Sequence, residues 1–229
     1  MPQLIDKTNR IIIYLLMLIF LTSLNNKNFS LFIKNIFKIN AINIYGIEDD
    51  LVKEIKISLK YLVNTNILFL DKDLIYKKVE TYNFIDQFNV SRKYPSELNF
   101  HIKHTTFIAK TIRDNNKYLI GLNGKLISYK KYHNTENLPN VFGNFKLKEL
   151  INFIDILKKT SFAVETITDY YYFDSKRWDI KIEDGINIKF PRNNLKNKIQ
   201  IANEILKNKE IKKKIIDLRV SNQVIIDNG

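Results

Sequence analysis

Cysteine is absent from the chain, and with it go disulfide frameworks, cysteine-ligated zinc sites and thiol nucleophiles. The absence says nothing of compartment, because an extracytoplasmic domain without cysteine relies on its core. With 6 glycines and 4 prolines there is no collagen-like repeat and no low-complexity linker. The 3 histidines do not converge on a metal site: His101 and His104 stand three apart in a strand-like segment, so they project to opposite faces, and His133 is alone in a polar loop. No Walker loop, GxGxxG, G-x-S-x-G or H-E-x-x-H motif occurs. These absences point to a chain without cofactor, metal, small-molecule substrate or catalytic residues.

What is present is positive charge and isoleucine. The 229 residues carry a formal net charge of +13. Nucleic-acid binding needs Lys and Arg clustered where phosphates lie. Here the basic residues are spread over the whole length, Lys far outnumbers the bidentate Arg, and the densest run is Lys212-Lys213-Lys214. Charge of this kind excludes a nucleic-acid partner better than it supports one. It suits attraction to an anionic bilayer surface, worth about 1 kcal/mol per nearby basic group.

The stretch Ile11 to Leu24 is uncharged and lacks Gly and Pro; Lys7 and Arg10 precede it and Asn25-Asn26-Lys27-Asn28 follow. At about 1.5 Å per residue the run reaches roughly 21 Å, against a hydrocarbon core of about 30 Å. Thr22 and Ser23 are the only small residues near its end and form no A-x-A-like cleavage site. An uncleaved transmembrane anchor over 11–28, after a tail over 1–10, is therefore expected, with flanking polar residues at the interfaces or a locally thinned bilayer. A cleaved signal and a buried soluble helix are the alternatives. Flanking charges are balanced and do not orient the segment; the short tail before it and the long body after it favour a cytoplasmic N-terminus.

Beyond the anchor, Phe37 to Ile44 alternates like a strand and ends at Tyr45-Gly46. Glu48-Asp49-Asp50 then marks a helix start, with Leu51, Ile55, Leu59 and Leu62 at helical spacing, and Asp71 is expected to cap a second helix carrying Leu74, Ile75, Val79 and Tyr82. After Asn83 the period falls to two, which predicts strands on either side of Tyr94-Pro95. The second half reads as mainly antiparallel strands with two helices, Lys146 to Lys158 and Leu195 to Lys207. Asn123-Gly124 and Asp184-Gly185 serve as hairpin turns, and Ile215 to Arg219 and Gln223 to Ile226 as closing strands. The fold class is thus α+β.

Glu48-Asp49-Asp50 and Asp71-Lys72-Asp73 are explained as helix starts without a metal. Tyr170-Tyr171-Tyr172-Phe173 alternates between two sheet faces, which argues for core plus surface rather than a stacking platform. Trp178 reads as core.

Taken in order, these signals resemble the FtsQ/DivIB family of bacterial division proteins. Ile39 to Gly46 is similar to the family's opening of its POTRA domain, and Val90-Ser91-Arg92-Lys93-Tyr94-Pro95-Ser96-Glu97-Leu98 to its "V-x-R-x-W-P-x-x-L", with Tyr for Trp. Phe107-Ile108-Ala109, Leu119 to Ile127, Leu138-Pro139 with Gly143, Trp178 to Ile188 and Ile216-Asp217-Leu218-Arg219 resemble its later fragments in the right order. Gly121-Leu122-Asn123 departs from the family's acidic residue. The resemblance implies a POTRA-type domain over 37–105 with β-α-α-β-β order and an FtsQ-type β domain over 106–229. It further implies a non-catalytic, single-pass inner-membrane protein at the division septum, its body in the periplasm, that binds partners of the FtsB/FtsL type. Strand addition near the tail would place contacts at Arg219, Val220, Ser221, Asn222, Gln223 and Val224. Two rivals remain. Another POTRA-bearing membrane assembly factor would carry a β-barrel, for which these residues show no pattern. A glycan-directed extracytoplasmic enzyme would draw on Asp169, Asp174, Asp179, Glu183 and Asp184, whose spacing defines no catalytic pair.

Overall fold

The shift from a helical to an alternating hydrophobic period after Asn83 becomes, in the computed structural model, a layer of helices followed by sheet. Residues 7–23, 27–129, 132, 135, 137–208, 214–221 and 223–227 are described. The chain divides into two units, Met1–His104 and Thr105–Gly229, and has a mixed α+β fold.

The first unit begins with α1 (Lys7–Ser23) and α2 (Lys27–Ile36). Then come β1 (Ala41–Tyr45), α3 (Asp49–Ser58), α4 (Lys72–Glu80), β2 (Ile85–Lys93) and β3 (Glu97–His104). The sheet order is β1-β3-β2, with β1 parallel and β2 antiparallel to β3. Alternation puts Leu98, Phe100 and Ile102 on one face, where they are buried along with Leu51 and Ile55 of α3 and Ile75 and Val79 of α4. Asp71 caps α4 by accepting the Leu74 N–H at 3.2 Å. Two local expectations are corrected. The helix from Glu48 stops at Ser58, and Leu59 and Leu62 reach the core through a short 3-10 turn. Leu74, assigned to the buried side of α4, is exposed because only Ile75 and Val79 face inward. His101 stacks on Tyr45 and His104 on Phe84.

Among the described residues no helix is long and apolar enough to cross a membrane. α1 holds 17 residues and presents apolar side chains to solvent on every face. Its described part runs Lys7–Ser23, and residues 24–26 of the expected span over 11–28 lie outside the described residues.

The second unit contains β4 (Phe107–Arg113), β5 (Asn116–Gly121), β6 (Leu126–Ser128), β7 (Asn140–Phe142) and α5 (Leu147–Lys159). These lead to β8 (Ile167–Phe173), β9 (Arg177–Ile182), β10 (Asn187–Lys189), α6 (Leu195–Lys207), β11 (Ile215–Asp217) and β12 (Ile225–Asp227). One nine-stranded sheet runs β12-β11-β10-β9-β8-β7-β4-β5-β6. The pairs β4/β7, β7/β8 and β10/β11 are parallel and the others antiparallel.

Topology explains why one face is covered by helices and the other is not. α5 connects parallel neighbours β7 and β8, and α6 connects parallel neighbours β10 and β11, so each is a crossover. Both crossovers step in the same direction along the sheet. With a common right hand they must deliver both helices to the same side. Leu150, Phe153, Ile154 and Leu157 of α5 and Ile199 and Ala202 of α6 accordingly share one core with Val141, Tyr170, Trp178, Ile180, Ile188 and Ile216. Trp178 lies at its centre, stacked on Phe153 at 5.3 Å and flanked by Tyr172 at 4.7 Å. Tyr170 faces this core, whereas Tyr171 stacks on Phe142 on the uncovered side. At Gly143, with φ +101°, a Cβ would stand 2.1 Å from the Tyr172 carbonyl oxygen, so only glycine lets the chain leave β7 this close to β8.

Candidate partner-binding edge

The uncovered face ends in a charged row that leads to the margin of the sheet. Register aligns Asp179 of β9 with Lys189 of β10, Lys189 with Asp217 of β11, and Asp217 with Ile225 of β12. These residues therefore share a face, with charges that alternate until an apolar side chain, Ile225, ends the row. β12 is terminal in the strand order, and Ile225 is 51% exposed. A terminal strand offers unpaired backbone N–H and C=O groups along its outer side.

Two devices hold the hairpin that carries this edge. The first is the Asp217–Arg219 pair. Asp217 accepts from the Arg219 backbone N–H at 3.1 Å and from Nε at 2.8 and 3.0 Å, and its Oδ2 also accepts from Nη2. The Arg219 bonds hold the Asp217 carboxyl below the usual carboxylate range, and the same bonds raise the guanidinium. Asp179 moves the other way: burial raises its pKa, and the nearby Arg177 and Arg219 offset this only in part. Arg177 Nε lies 3.5 Å from Asp179 Oδ1. The second device is Lys198 of α6, which is 4% exposed; its Nζ donates to the carbonyl oxygens of Val220 at 2.7 Å and Ser221 at 3.0 Å. The crossover helix thus ties the turn between β11 and β12 to the body of the unit.

A family model for the C-terminal region of the cell division proteins FtsQ and DivIB matches residues 111–219. The cell division protein FtsQ of Rickettsia bellii (strain RML369-C) is 26% identical over 176 residues, covering 71% of this chain and 62% of that protein. The chain thus spans less than two thirds of that relative's length. Over the matched residues the chain is similar to FtsQ/DivIB cell division proteins. Among solved structures, the major extracytoplasmic domain of DivIB from Geobacillus stearothermophilus in its trans isomer is similar at 14% identity. It covers 46% of this chain and 98% of that one with a TM-score of 0.32.

Of the tail residues expected to meet a partner, Arg219 ends the stretch matched to the FtsQ/DivIB C-terminal region, and Val220 to Val224 lie beyond it. None of the described ones is in a strand. Arg219, Val220 and Ser221 follow β11, Gln223 and Val224 precede β12, and Asn222 lies outside the described residues. Among the described residues β12, Ile225–Asp227, pairs with the outer side of β11 and stands last in the strand order. The turn between the two strands spends the intervening residues on reversing the chain. Among the described ones, Arg219 reaches back to the sheet face through Asp217.

Lys198 and Ile225 escaped sequence reasoning as site residues. Lys198 precedes Ile199 in an amphipathic helix and looks like any flank of its apolar stripe. Ile225 falls in the closing strand expected over Gln223 to Ile226, but which face it takes depends on pairing with β11. His133, Lys212 and Lys213 lie outside the described residues. The carboxylates considered for an enzyme are dispersed: Asp169 accepts from Asn140 Nδ2 at 2.8 Å and Asp179 lies beside Arg177.

Proposed function

We propose that the chain is a bitopic, non-catalytic divisome scaffold. In this reading the apolar run from Ile11 anchors it in the inner membrane at the septum with the N-terminus cytoplasmic. Residues 37–105 form a POTRA-type domain, and residues 106–229 form the β domain that recruits partners of the FtsB/FtsL type. The observation that carries the reading is the terminal place of β12 among the described strands of a nine-stranded sheet, in a chain similar to FtsQ/DivIB proteins. An extended partner segment pairs with the outer edge of β12 by main-chain hydrogen bonds. Ile225 supplies an apolar side-chain contact, and the alternating charges behind it set register and exclude mismatched segments.

The test is affinity between the extracytoplasmic body and an FtsB/FtsL-type partner. Ile225→Lys places a charge on an exposed edge position and is expected to leave the fold intact while weakening binding at least about tenfold, a loss of about 1.4 kcal/mol. Ile112→Lys, equally exposed on β4 at a distance along the same face, is the control and is expected to bind normally. Equal affinity of both variants with the unaltered chain overturns the edge assignment.

A further inference from the structure

We infer that α2 is an interfacial helix: it lies along the surface of an anionic bilayer and buries its Phe32 and Ile36 side in the boundary between headgroups and acyl chains. The inference rests on the reading that α1 is the membrane anchor, and adds a second, differently built membrane contact.

α2 is amphipathic. Phe32, Ile33 and Ile36 fall on one side at helical spacing, and Lys34 and Asn35 on the other. That apolar side is open at Phe32, which is 59% exposed, and at Ile36, 37% exposed, while Ile33 is half-buried. Phe32 and Ile36 lie immediately before β1, where the folded part of the unit begins. A bare apolar face on so short a helix needs an occupant, and three observations identify it as lipid.

Proximity comes first. Only residues 24 to 26 separate α1 from α2, and three residues span at most about 10 Å even when fully extended. The headgroup layer on each side of a bilayer is about 5 to 8 Å thick, so a helix tethered this closely to the end of an inserted segment starts at the membrane surface. Length comes second. The uncharged run of α1 falls several ångströms short of the hydrocarbon thickness, and a short span draws its flanks inward and thins the bilayer around it. Charge comes third. No Asp or Glu occurs anywhere from residue 7 to residue 47, whereas Lys27, Lys34 and Lys38 lie within or beside α2. A basic segment with an apolar face matches an anionic lipid surface and not an acid-free protein groove.

The consequence is orientational: a helix lying flat beneath β1 restricts how the first unit can tilt about the anchor.

The test uses the full chain, whose lack of cysteine permits single spin labels without background changes. Phe32→Cys, Lys34→Cys, Asn35→Cys, Ile36→Cys and, in α1, Leu18→Cys are reconstituted in vesicles of phosphatidylethanolamine and phosphatidylglycerol, and each label is tested for collision with oxygen and with a water-soluble nickel chelate. The expected ratio of oxygen to nickel accessibility is several-fold higher at 32 and 36 than at 34 and 35. Replacing phosphatidylglycerol by phosphatidylcholine is expected to move the 32 and 36 labels toward water. Four aqueous labels on α2 overturn the inference, as do four lipid-buried ones without alternation. Shielding of 32 and 36 from both reagents also overturns it, because a protein surface then covers the face. Unchanged depth in the two lipid mixtures overturns the anionic part. The Leu18 label separates the two readings: lipid-exposed at Leu18 with aqueous α2 removes this inference alone, whereas aqueous at Leu18 removes the anchor itself.

Discussion

Lys198→Met tests whether the crossover helix fastens the β11–β12 hairpin, the edge proposed to bind a partner. The substitution keeps the aliphatic stem and deletes the ammonium that donates to Val220 and Ser221. Hydrogen bonds from a charged donor are worth about 1.5 to 3 kcal/mol each. Two opposing effects reduce the global cost: burying an ammonium is itself unfavourable, so its removal regains several kcal/mol, and the two carbonyls sit in an exposed turn where water can replace the lost donor. The whole-unit change is therefore expected to be small, about 0 to 2 kcal/mol, or no more than roughly 10 °C in Tm. The tether is different, because these two bonds join the turn to α6. Losing the equivalent of one charge-assisted bond there lowers the local opening free energy of the hairpin by about 1.5 to 3 kcal/mol, which accelerates exchange of its amides about 10- to 100-fold. Hydrogen exchange followed by mass spectrometry on a peptide covering residues 215 to 227 reads this directly, with the strands β8 and β9 as internal reference. Unchanged exchange in that peptide would refute the reasoning, and so would a uniform acceleration across the sheet, which would mean that Lys198 stabilises the core and not the edge.

Other expectations follow from the core and the charged row. Phe153→Ala, which empties a fully buried ring from the Trp178 stack, is expected to cost about 3 to 5 kcal/mol in urea unfolding of the second unit. Asp217 and Asp179 should differ in the sign of their pH dependence. With its folded pKa lowered, Asp217 contributes stability that is complete above the ordinary carboxylate value and is lost as pH falls through the lowered one, so Asp217→Asn should flatten the melting curve below about pH 4. With its folded pKa raised by burial, Asp179 favours the folded state most in its protonated form and loses that contribution as pH rises through the raised value; Asp179→Asn is accordingly expected to hold or raise Tm at neutral pH. Gly143→Ala should lower Tm by several degrees, since its Cβ meets a backbone oxygen that cannot move aside.

Local signals carried much of the architecture. Both crossover helices were legible from their apolar spacing, with α6 matching at Leu195 and Lys207 and α5 shifted by one residue. The hairpins at Asn123-Gly124 and Asp184-Gly185, the Asp71 cap and the two-faced tyrosine run were legible for the same reason: each depends on residues adjacent in the chain or one turn apart. Phe153 shows where this fails. It lies beside the stripe read from Leu150, Ile154 and Leu157, and only the ring of Trp178, brought over it by β9, makes it central. The edge fails in a related way. Two closing strands were legible over Ile215 to Arg219 and Gln223 to Ile226, but nothing local reveals that the second pairs with the outer side of the first.

By itself the sequence determined the α+β class, the alternation of helix and strand, and the family that the chain resembles, because periodicity, caps, turns and motifs are properties of short stretches. The tertiary structure alone decided which face of the sheet stays bare, which strand ends it, and that a buried lysine on a distant helix holds the last turn. Those outcomes depend on register and on the hand of two crossovers, which join residues far apart in the chain and leave no mark on any short segment of it.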